Sequence, residues 1–282
     1  MHKQAHTTLV NGVETSALSI ADRGLAYGDG LFETMRVSRQ SVPLLSFHIE
    51  RFARGVERLS LGPKKTLCKV FKEALNEAMA AVSGDALIKV IATRGVGGRG
   101  YVPPTHADVT FIAQVFDEVE RPAFSLSGGM NVIECQCRLA HQPLLAGIKH
   151  LNRLEQILLS RELKGHSEGL VFDYDNQLVE GTKSNILVFE ADRVVTPRLD
   201  RCGVQGTLRD FLLVSGDELG FNIEEDLISR SRYESAEALA AVSGVMGIRA
   251  IKSVQRAGVK HNYNSDSRMM DIHSLLKRKL FY

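Results

Sequence analysis

Two residues of this sequence carry side chains that could support chemistry on an aldehyde cofactor with a pyridine ring. Lys149 lies in the segment Ala146–Gln156, just before an amphipathic stretch, and Glu180 follows 31 positions later. A lysine amine can condense with an aldehyde, and a carboxylate can keep a pyridine nitrogen protonated, as an electron sink requires. The pair predicts an enzyme in which Lys149 is the catalytic residue.

Three further residues could bind a phosphate group. Arg51 follows His48 by one turn of a predicted helix, and its planar guanidinium can hold phosphate oxygens through paired hydrogen bonds. Gly206 and Thr207 open another predicted helix, where backbone N–H groups and a hydroxyl converge. Taken alone, the arginine could be a solvated surface residue and the threonine a simple helix cap. Combined with the lysine and the carboxylate, they match the charged groups of pyridoxal 5'-phosphate, the predicted cofactor.

The composition is that of an ordinary globular protein. Of 282 residues, 44% are hydrophobic and 24% charged, and 35 basic residues against 33 acidic ones give a net charge of +2. This balance does not indicate a nucleic-acid partner. Apolar runs stay below the roughly 18 residues of a membrane helix, and the first residues are too polar for a signal peptide. We therefore expect a cytoplasmic protein with no membrane partner.

The cysteine spacing matches neither a disulfide framework nor a zinc site. Cys135 and Cys137 are two apart in a predicted strand and would share a face, while Cys68 and Cys202 are isolated in the sequence. We expect all four to be reduced and, from spacing alone, predict no metal.

Hydrophobic periodicity predicts helices alternating with strands. A helix with Ser46 as its cap should bury a stripe from Ile49 to Leu59 and leave His48 and Arg51 on its exposed side. The other predicted helices are 64–82, 152–163, 207–219 and 267–280, and the other predicted strands are 31–37, 86–93, 108–116, 131–137, 170–173 and 184–189.

The order of these elements predicts an α+β protein in two domains. Residues 1–116 form a small N-terminal α/β domain, and the charged, proline-containing segment 117–123 is typical of a linker. Residues 124–282 form a larger C-terminal domain that would carry Lys149. The sequence shows no internal repeat and no low-complexity segment.

The motifs resemble those of class IV, fold-type IV pyridoxal-phosphate enzymes. This family includes branched-chain and D-amino acid aminotransferases and 4-amino-4-deoxychorismate lyases. The resemblance runs from Asp22 to about Arg249 in the family's motif order, and it implies the D-amino acid aminotransferase-like architecture. The segments Arg94–Tyr101 and Leu145–Gln156 resemble the lyases most closely, and the second is the more specific.

The resemblance implies a role for each candidate residue. Lys149 would bind the cofactor covalently and Glu180 would pair with the pyridine nitrogen. Arg51, Gly206 and Thr207 would contact the phosphate, and Ser243 would also lie at the cofactor. The substrate would be a small molecule. Candidates for its carboxylates are Arg99, Tyr101 and Arg153, although Arg99 could equally be a solvated loop residue.

The resemblance favours a lyase that releases pyruvate from 4-amino-4-deoxychorismate and leaves 4-aminobenzoate, a step of folate biosynthesis. Asn152–Arg153 stands where branched-chain aminotransferases usually carry a tyrosine. Glu33 and Ser243 differ from the threonine and asparagine of the lyases, so an aminotransferase of the same fold is the alternative. A binding module without chemistry would lack Lys149 or Glu180. Related enzymes build their site at a subunit interface, which implies a homodimer.

Overall fold

The computed structural model of the chain describes residues 5–106, 108–116 and 128–281. Contacts divide the chain into two compact units, Met1–Glu120 with Ile148–Asn152 and Arg121–Gly147 with Arg153–Tyr282. The predicted linker 117–123 lies outside the described residues. The segment that carries Lys149 belongs to the first unit, whereas the sequence placed it in the C-terminal domain, because its backbone pairs with a strand of the first unit.

The first unit is an antiparallel sheet with helices packed against it. Its strands run in the order β2-β1-β5-β4-β3. Its elements are β1 (Thr7–Val10), β2 (Val13–Glu14), α1 (Arg23–Tyr27), β3 (Gly30–Val37), α2 (Leu45–Arg58), α3 (Lys64–Ala80), β4 (Ala86–Thr93) and β5 (Thr110–Phe116).

The core of the first unit forms between the sheet and helices α2 and α3. Phe52 of α2 stacks on Phe71 of α3 with ring centroids 4.6 Å apart, and both rings are buried. Leu67 and Leu75 of α3 are buried as well. The three- and four-residue spacing of these positions places them on one side of each helix. This packing of α2 against α3 and the sheet holds α2 next to β3.

Helix α2 differs from its prediction in two respects. It begins at Leu45, after a left-handed Leu44, so Ser46 lies inside the helix and is not its cap. His48 and Arg51, which were predicted to be exposed, are buried. The helix approaches β3 closely, since a Cβ on Gly55 would lie 2.6 Å from a methyl group of Leu31. His48 and Arg51 therefore face the sheet beside the apolar stripe of α2.

The second unit contains a nine-stranded mixed sheet with the order β11-β10-β9-β12-β13-β6-β7-β8, to which β14 adds by pairing with β13. Its elements are β6 (Met130–Leu139), α4 (Leu154–Glu162), β7 (Gly169–Asp173), β8 (Leu178–Gly181), β9 (Asn185–Phe189), β10 (Val194–Pro197), α5 (Thr207–Leu213), α6 (Gly216–Leu219), β11 (Ile223–Asp226), α7 (Arg230–Glu234), β12 (Ala238–Ser243), β13 (Gly247–Arg256), β14 (Val259–Asn262), α8 (Arg268–Leu276) and a π-helical turn (Lys277–Phe281).

Strands β7 to β10 in the sheet of the second unit are buried throughout. Strand β7 is buried throughout, and its neighbouring residues alternate between two hydrophobic clusters, with Leu170 and Phe172 in one and Val171 in the other. A continuous apolar run is typical of strands covered on both sides. This covering makes β7 and its neighbour β8 a rigid base for the residues at their ends.

The helix predicted over 207–219 is two helices. Helix α5 ends at Leu213 and α6 begins at Gly216. The hydroxyl of Ser215 donates to the carbonyl of Phe211 at 2.7 Å, and serine and glycine are weak helix formers. None of the helices in the described part of the chain has the length and apolar character needed to span a bilayer.

Candidate active site

Backbone pairing with β3 fixes the position of Lys149. The N–H of Phe32 donates to the carbonyl of Lys149 at 2.9 Å, and the N–H of Leu151 donates to the carbonyl of Gly30 at 3.0 Å. The lysine is thus held as an extension of the sheet edge. Its Nζ lies 4.6 Å from the centroid of the Phe32 ring, within the range of a cation–π contact.

A buried ionic cluster connects β3 with α2. Glu33 accepts a hydrogen bond from Nε of Arg51 at 2.8 Å and another from a terminal nitrogen of the same guanidinium. The Nδ1 atom of His48 lies 2.6 Å from the second carboxylate oxygen. Such a fork between carboxylate and guanidinium fixes the plane of the arginine. Glu33 therefore orients Arg51, the predicted phosphate ligand.

The electrostatics of this cluster favour an ionised glutamate. Burial by itself would raise the pKa of Glu33, but the charge and hydrogen bonds of Arg51, with those of His48, lower it to about 2. Burial lowers the pKa of His48, and the positive charges of Arg51 and Lys149 act in the same direction against the opposing effect of Glu33. The carboxylate stays charged in a site where burial disfavours a second cation on the histidine.

Glu180 lies in β8 opposite Val171 of β7, and only 6% of the residue is exposed. Its Oε2 accepts a hydrogen bond from the backbone N–H of Val204 at 2.8 Å. Gly203, with a φ of +83°, makes the turn that presents this N–H, and a Cβ there would press on Val179 at 2.7 Å. A buried, fixed carboxylate suits the predicted role of holding a ring nitrogen protonated.

Gly206 and Thr207 stand at the start of helix α5. The N-cap residue is Gly206, and Thr207 is the first helical residue, so the simple capping role considered for the threonine does not apply. A Cβ at Gly206 would overlap Oδ1 of Asn185. The amide of Asn185 donates to the carbonyl of Val204 at 2.9 Å and so ties the loop before α5 to strand β9.

The loop before α5 also meets the backbone of Gly147. The N–H of Gly147 donates to the carbonyl of Gly203 at 2.9 Å, and the N–H of Gln205 donates to the carbonyl of Gly147 at 3.2 Å. Gly147 has a φ of +80°, which an L side chain rarely adopts. Lys149 follows it two positions later in the sequence.

A fully buried carboxylate supports the turn after Glu180. Glu168 accepts hydrogen bonds from the hydroxyl of Ser184 at 2.7 Å, from the hydroxyl of Thr182 and from the N–H of Gly169 at 3.0 Å. Buried carboxylates need such partners, since an unpaired one is costly. Sequence reasoning missed Glu168, and its only signal was a charge next to the apolar run of β7.

The loop with the substrate-binding candidates Arg99 and Tyr101 is shaped by Arg23. The guanidinium of Arg23 donates to the carbonyls of Gly100 and Tyr101 at 3.0 and 2.9 Å. The Tyr101 side chain is 86% exposed and meets the ring of Tyr27 edge-on at 5.6 Å, and Arg99 is exposed. The loop is held by its backbone, which leaves both side chains at its surface.

The two remaining candidates lie in the second unit. Arg153 is the N-cap residue of α4, and its carbonyl accepts from the N–H of Ile157 at 3.0 Å. Ser243 ends β12, and its hydroxyl accepts from the N–H of Met246 at 3.1 Å in the turn to β13. Both residues are partly buried. These two hydrogen bonds stabilise a helix start and a turn.

Five of the predicted residues lie in two groups, each within one compact unit and each with the residues that hold it in place. Each group contains side chains of a kind that suits pyridoxal phosphate: the first has an amine on a fixed backbone and a guanidinium held by a carboxylate, and the second has a buried carboxylate held by a backbone N–H and a glycine whose Cβ has no space. The first group is Lys149, Glu33, His48 and Arg51, and the second is Glu180, Val204, Asn185, Gly206 and Thr207.

Known proteins are similar to this chain over nearly its whole length. The family model described as amino-transferase class IV matches residues 30–254. An aminodeoxychorismate lyase of Vibrio harveyi is 30% identical over 258 residues, which are 86% of this chain and 91% of that protein. A D-alanine aminotransferase of Staphylococcus haemolyticus is 27% identical over 206 residues, 71% of each chain.

Solved structures show the same fold. A 4-amino-4-deoxychorismate lyase from Pseudomonas aeruginosa superposes with a TM-score of 0.86 and 35% identity, covering 98% of this chain and 100% of that one. A branched-chain amino acid aminotransferase from Escherichia coli superposes with a TM-score of 0.80 and 19% identity, over 99% and 95% of the chains. The predicted α+β, fold-type IV architecture is confirmed, and the chain belongs to the amino-transferase class IV family.

Proposed function

We propose that this protein is a pyridoxal-phosphate-dependent 4-amino-4-deoxychorismate lyase that yields 4-aminobenzoate and pyruvate. The observation that carries the proposal is the end-to-end similarity to the Pseudomonas aeruginosa lyase, at 35% identity over 98% of this chain. Lyases of Vibrio harveyi and Bacillus subtilis, at 30% and 25% identity, support the same reaction.

The residues that would hold the cofactor follow from the two groups. Lys149 would condense with the aldehyde, and Glu180 would keep the pyridine nitrogen protonated. Arg51, Gly206 and Thr207 would bind the phosphate, and Ser243 would also lie at the cofactor. Glu33 supports this arrangement, since it fixes the guanidinium of Arg51 through two hydrogen bonds. When bound, the cofactor supplies an electron sink that stabilises negative charge on the carbon next to the substrate nitrogen.

Lys149 would have a second task, as the base of the reaction. Its Nζ removes the proton from the ring carbon that bears the substrate nitrogen. The ether bond to the enolpyruvyl group then breaks, and the carbocycle becomes aromatic. The departing enol takes up a proton and becomes pyruvate. Aromatisation supplies the driving force, so the protein has mainly to hold the substrate and to keep the lysine available as a base.

Binding of the two substrate carboxylates requires cationic or hydrogen-bonding groups. Arg99, Tyr101 and Arg153 are the candidates, and the surface exposure of the first two is compatible with contact to a small molecule. The protein is proposed to act as a homodimer.

A class IV aminotransferase is the alternative, supported by the D-alanine aminotransferases among the relatives. It would use the same Lys149 and Glu180 but would need an amino-acid donor and a keto-acid acceptor. Glu33, the more general residue of the family at its position, favours this alternative only weakly.

The test supplies purified protein and cofactor with 4-amino-4-deoxychorismate and measures 4-aminobenzoate and pyruvate. The proposal predicts equal amounts of both products without any keto-acid acceptor. A parallel reaction uses D-alanine or a branched-chain amino acid with a keto acid. Turnover in that reaction alone would assign the aminotransferase instead, and turnover in neither, with the protein folded and loaded, would refute both assignments.

A further inference from the structure

A second cluster of polar side chains lies at one end of strands β6 and β7. The last residues of these strands, Leu139 and Asp173, are partners in the parallel ladder. Because the two strands end together, His141, two residues past Leu139, is brought beside Asp173. The Nε2 atom of His141 lies 2.9 Å from Oδ2 of Asp173.

A third side chain reaches this place from the loop before α5. The N–H of Gln142 donates to the carbonyl of Arg201 at 2.8 Å, which sets the loop after β6 alongside Cys202. One imidazole nitrogen of His141, one carboxylate oxygen of Asp173 and the sulfur of Cys202 all lie within 4.8 Å of one another. The three residues are far apart in the sequence, so spacing could not have indicated this cluster.

The carboxylate of the cluster is held in a single orientation. Its other oxygen, Oδ1 of Asp173, accepts from the N–H groups of Asp175 and Gln177 at 3.0 and 2.8 Å in the turn between β7 and β8. Oδ2 is thereby directed to the histidine. Asp173 and Cys202 are buried, at 3% and 8% exposure, and His141 is exposed.

We propose that His141, Asp173 and Cys202 form a binding site for a divalent transition metal ion of the zinc class. Imidazole nitrogen, carboxylate oxygen and thiolate sulfur are the ligand atoms that zinc takes, and a thiolate discriminates against magnesium and calcium. Bonds of about 2.0–2.3 Å in a tetrahedral site place ligand atoms about 3.5 Å apart. The ligand atoms of the cluster lie within 4.8 Å of one another, so metal binding would shorten the widest separation by up to about 1 Å. Water takes the fourth position.

Metal binding at Cys202 has to displace a thiol proton. Burial, followed by the charges of Asp173 and Glu180, raises the pKa of its thiol to about 12. Without metal the residue is a protonated thiol, a poor nucleophile. A bound metal ion replaces the thiol proton, which passes to solvent.

The cluster has a structural connection to Glu180. Cys202 is followed by Gly203 and then by Val204, whose N–H holds the Glu180 carboxylate at 2.8 Å. A metal ion on Cys202 therefore restrains the turn that presents this N–H. Metal binding itself requires neither the cofactor nor the substrate, so it can be tested independently of the proposed reaction.

The test uses Co²⁺ as a spectroscopic substitute for zinc. Full-length protein loaded with cofactor is freed of metal, desalted and titrated with cobalt chloride, and difference spectra are recorded. The proposal predicts one Co²⁺ ion per chain, the visible bands of tetrahedral cobalt, a thiolate-to-cobalt charge-transfer band, and displacement of all of these by one equivalent of Zn²⁺.

Three variants locate the site. His141→Asn and Cys202→Ser should each weaken Co²⁺ binding by at least about 100-fold. Cys137→Ser is the control, because Cys137 is a partly buried thiol packed against the same hydrophobic cluster as Cys202 and lies outside the proposed site. His141 is exposed, so its replacement leaves the core intact even where Cys202→Ser folds poorly.

Three outcomes would overturn the proposal. They are the absence of cobalt bands in the wild-type protein, unchanged bands in His141→Asn, and bands lost in Cys137→Ser but retained in Cys202→Ser.

Discussion

Glu33 determines which way Arg51 points, because it binds two nitrogens of the guanidinium in a buried position. Replacing it by glutamine, Glu33→Gln, leaves a buried guanidinium without its counter-charge, which typically costs about 3–5 kcal/mol. We expect a loss of that size in the free energy of unfolding by urea and weaker binding of pyridoxal phosphate. Glu50→Gln, at an exposed position of the same helix, should change neither. A stability equal to that of the wild type would contradict this role.

The same variant tests how the stability contributed by Glu33 depends on pH. Burial alone would raise the pKa of Glu33, but Arg51 and His48 lower it from its ordinary value of 4.5 to about 2. A lowered pKa contributes stability that is present above pH 4.5 and is lost as the pH falls toward 2. The difference in stability between the wild type and Glu33→Gln should therefore shrink over this window. A difference that stays constant from pH 5 to the acid limit of folding would exclude the ionised pair.

Gly206 is predicted to tolerate no side chain. In Gly206→Ala the new methyl group overlaps Oδ1 of Asn185 and displaces the amide that donates to Val204. Overpacking of this kind costs about 1–3 kcal/mol. We expect that loss in thermal unfolding and a raised dissociation constant for pyridoxal phosphate. Gly84→Ala is the matched control, because a Cβ there meets nothing within 4 Å. Wild-type cofactor affinity in Gly206→Ala would show that this glycine has no part in the site.

At the scale of secondary-structure elements, the turn between β8 and β9 depends on Glu168. Glu168→Gln should destabilise the protein by about 1–3 kcal/mol, because an amide oxygen cannot replace both carboxylate acceptors. A double-mutant cycle with Ser184→Ala should give a coupling energy within about 0.5–3 kcal/mol. Lys183→Ala, exposed in the same turn, is the control and should be additive with Glu168→Gln. Additivity in both cycles would mean that the buried hydrogen bond contributes nothing.

The periodicity of apolar residues predicted whether a segment is a helix or a strand better than it predicted which side chains of that element are buried. The apolar stripe predicted helix α2, but it also led to His48 and Arg51 being placed in solvent. A single sequence does not reveal that Glu33, on a different element, neutralises them inside the fold. The break between α5 and α6 was missed for a related reason: the periodicity of apolar residues runs through Ser215 and Gly216, and only their weak helix propensity marks the end.

At the scale of the whole molecule, we expect a homodimer. Light scattering over a range of concentrations should give twice the mass of the chain, and the dimer should persist at the concentration used for the lyase assay. The prediction derives from the resemblance to the family, which implies a site at a subunit interface. A monomer with full turnover at that concentration would contradict it.

The functional groups of the candidate site can be read from the sequence, whereas the groups that hold them in place cannot. Lys149, Glu180 and Arg51 carry functional groups whose types already indicate a pyridoxal-phosphate enzyme. The groups that hold them, such as the N–H of Val204 or the ring of Phe32, are backbone or apolar parts that occur throughout the sequence. Their roles depend on positive-φ turns and on pairing between distant segments, which only the fold reveals. For the same reason, the sequence did not indicate the cluster of His141, Asp173 and Cys202.

The most direct test of the central claim identifies the lysine to which the cofactor is attached. Borohydride reduction of the purified, cofactor-loaded protein makes the carbon–nitrogen bond permanent, and mass spectrometry of a digest then locates the modified residue. We predict modification of Lys149 alone. Lys89 is the natural competitor, because its Nζ lies 5.1 Å from the centroid of the same Phe32 ring and burial lowers its pKa. A pyridoxyl group on Lys89, or on no lysine, would contradict the account.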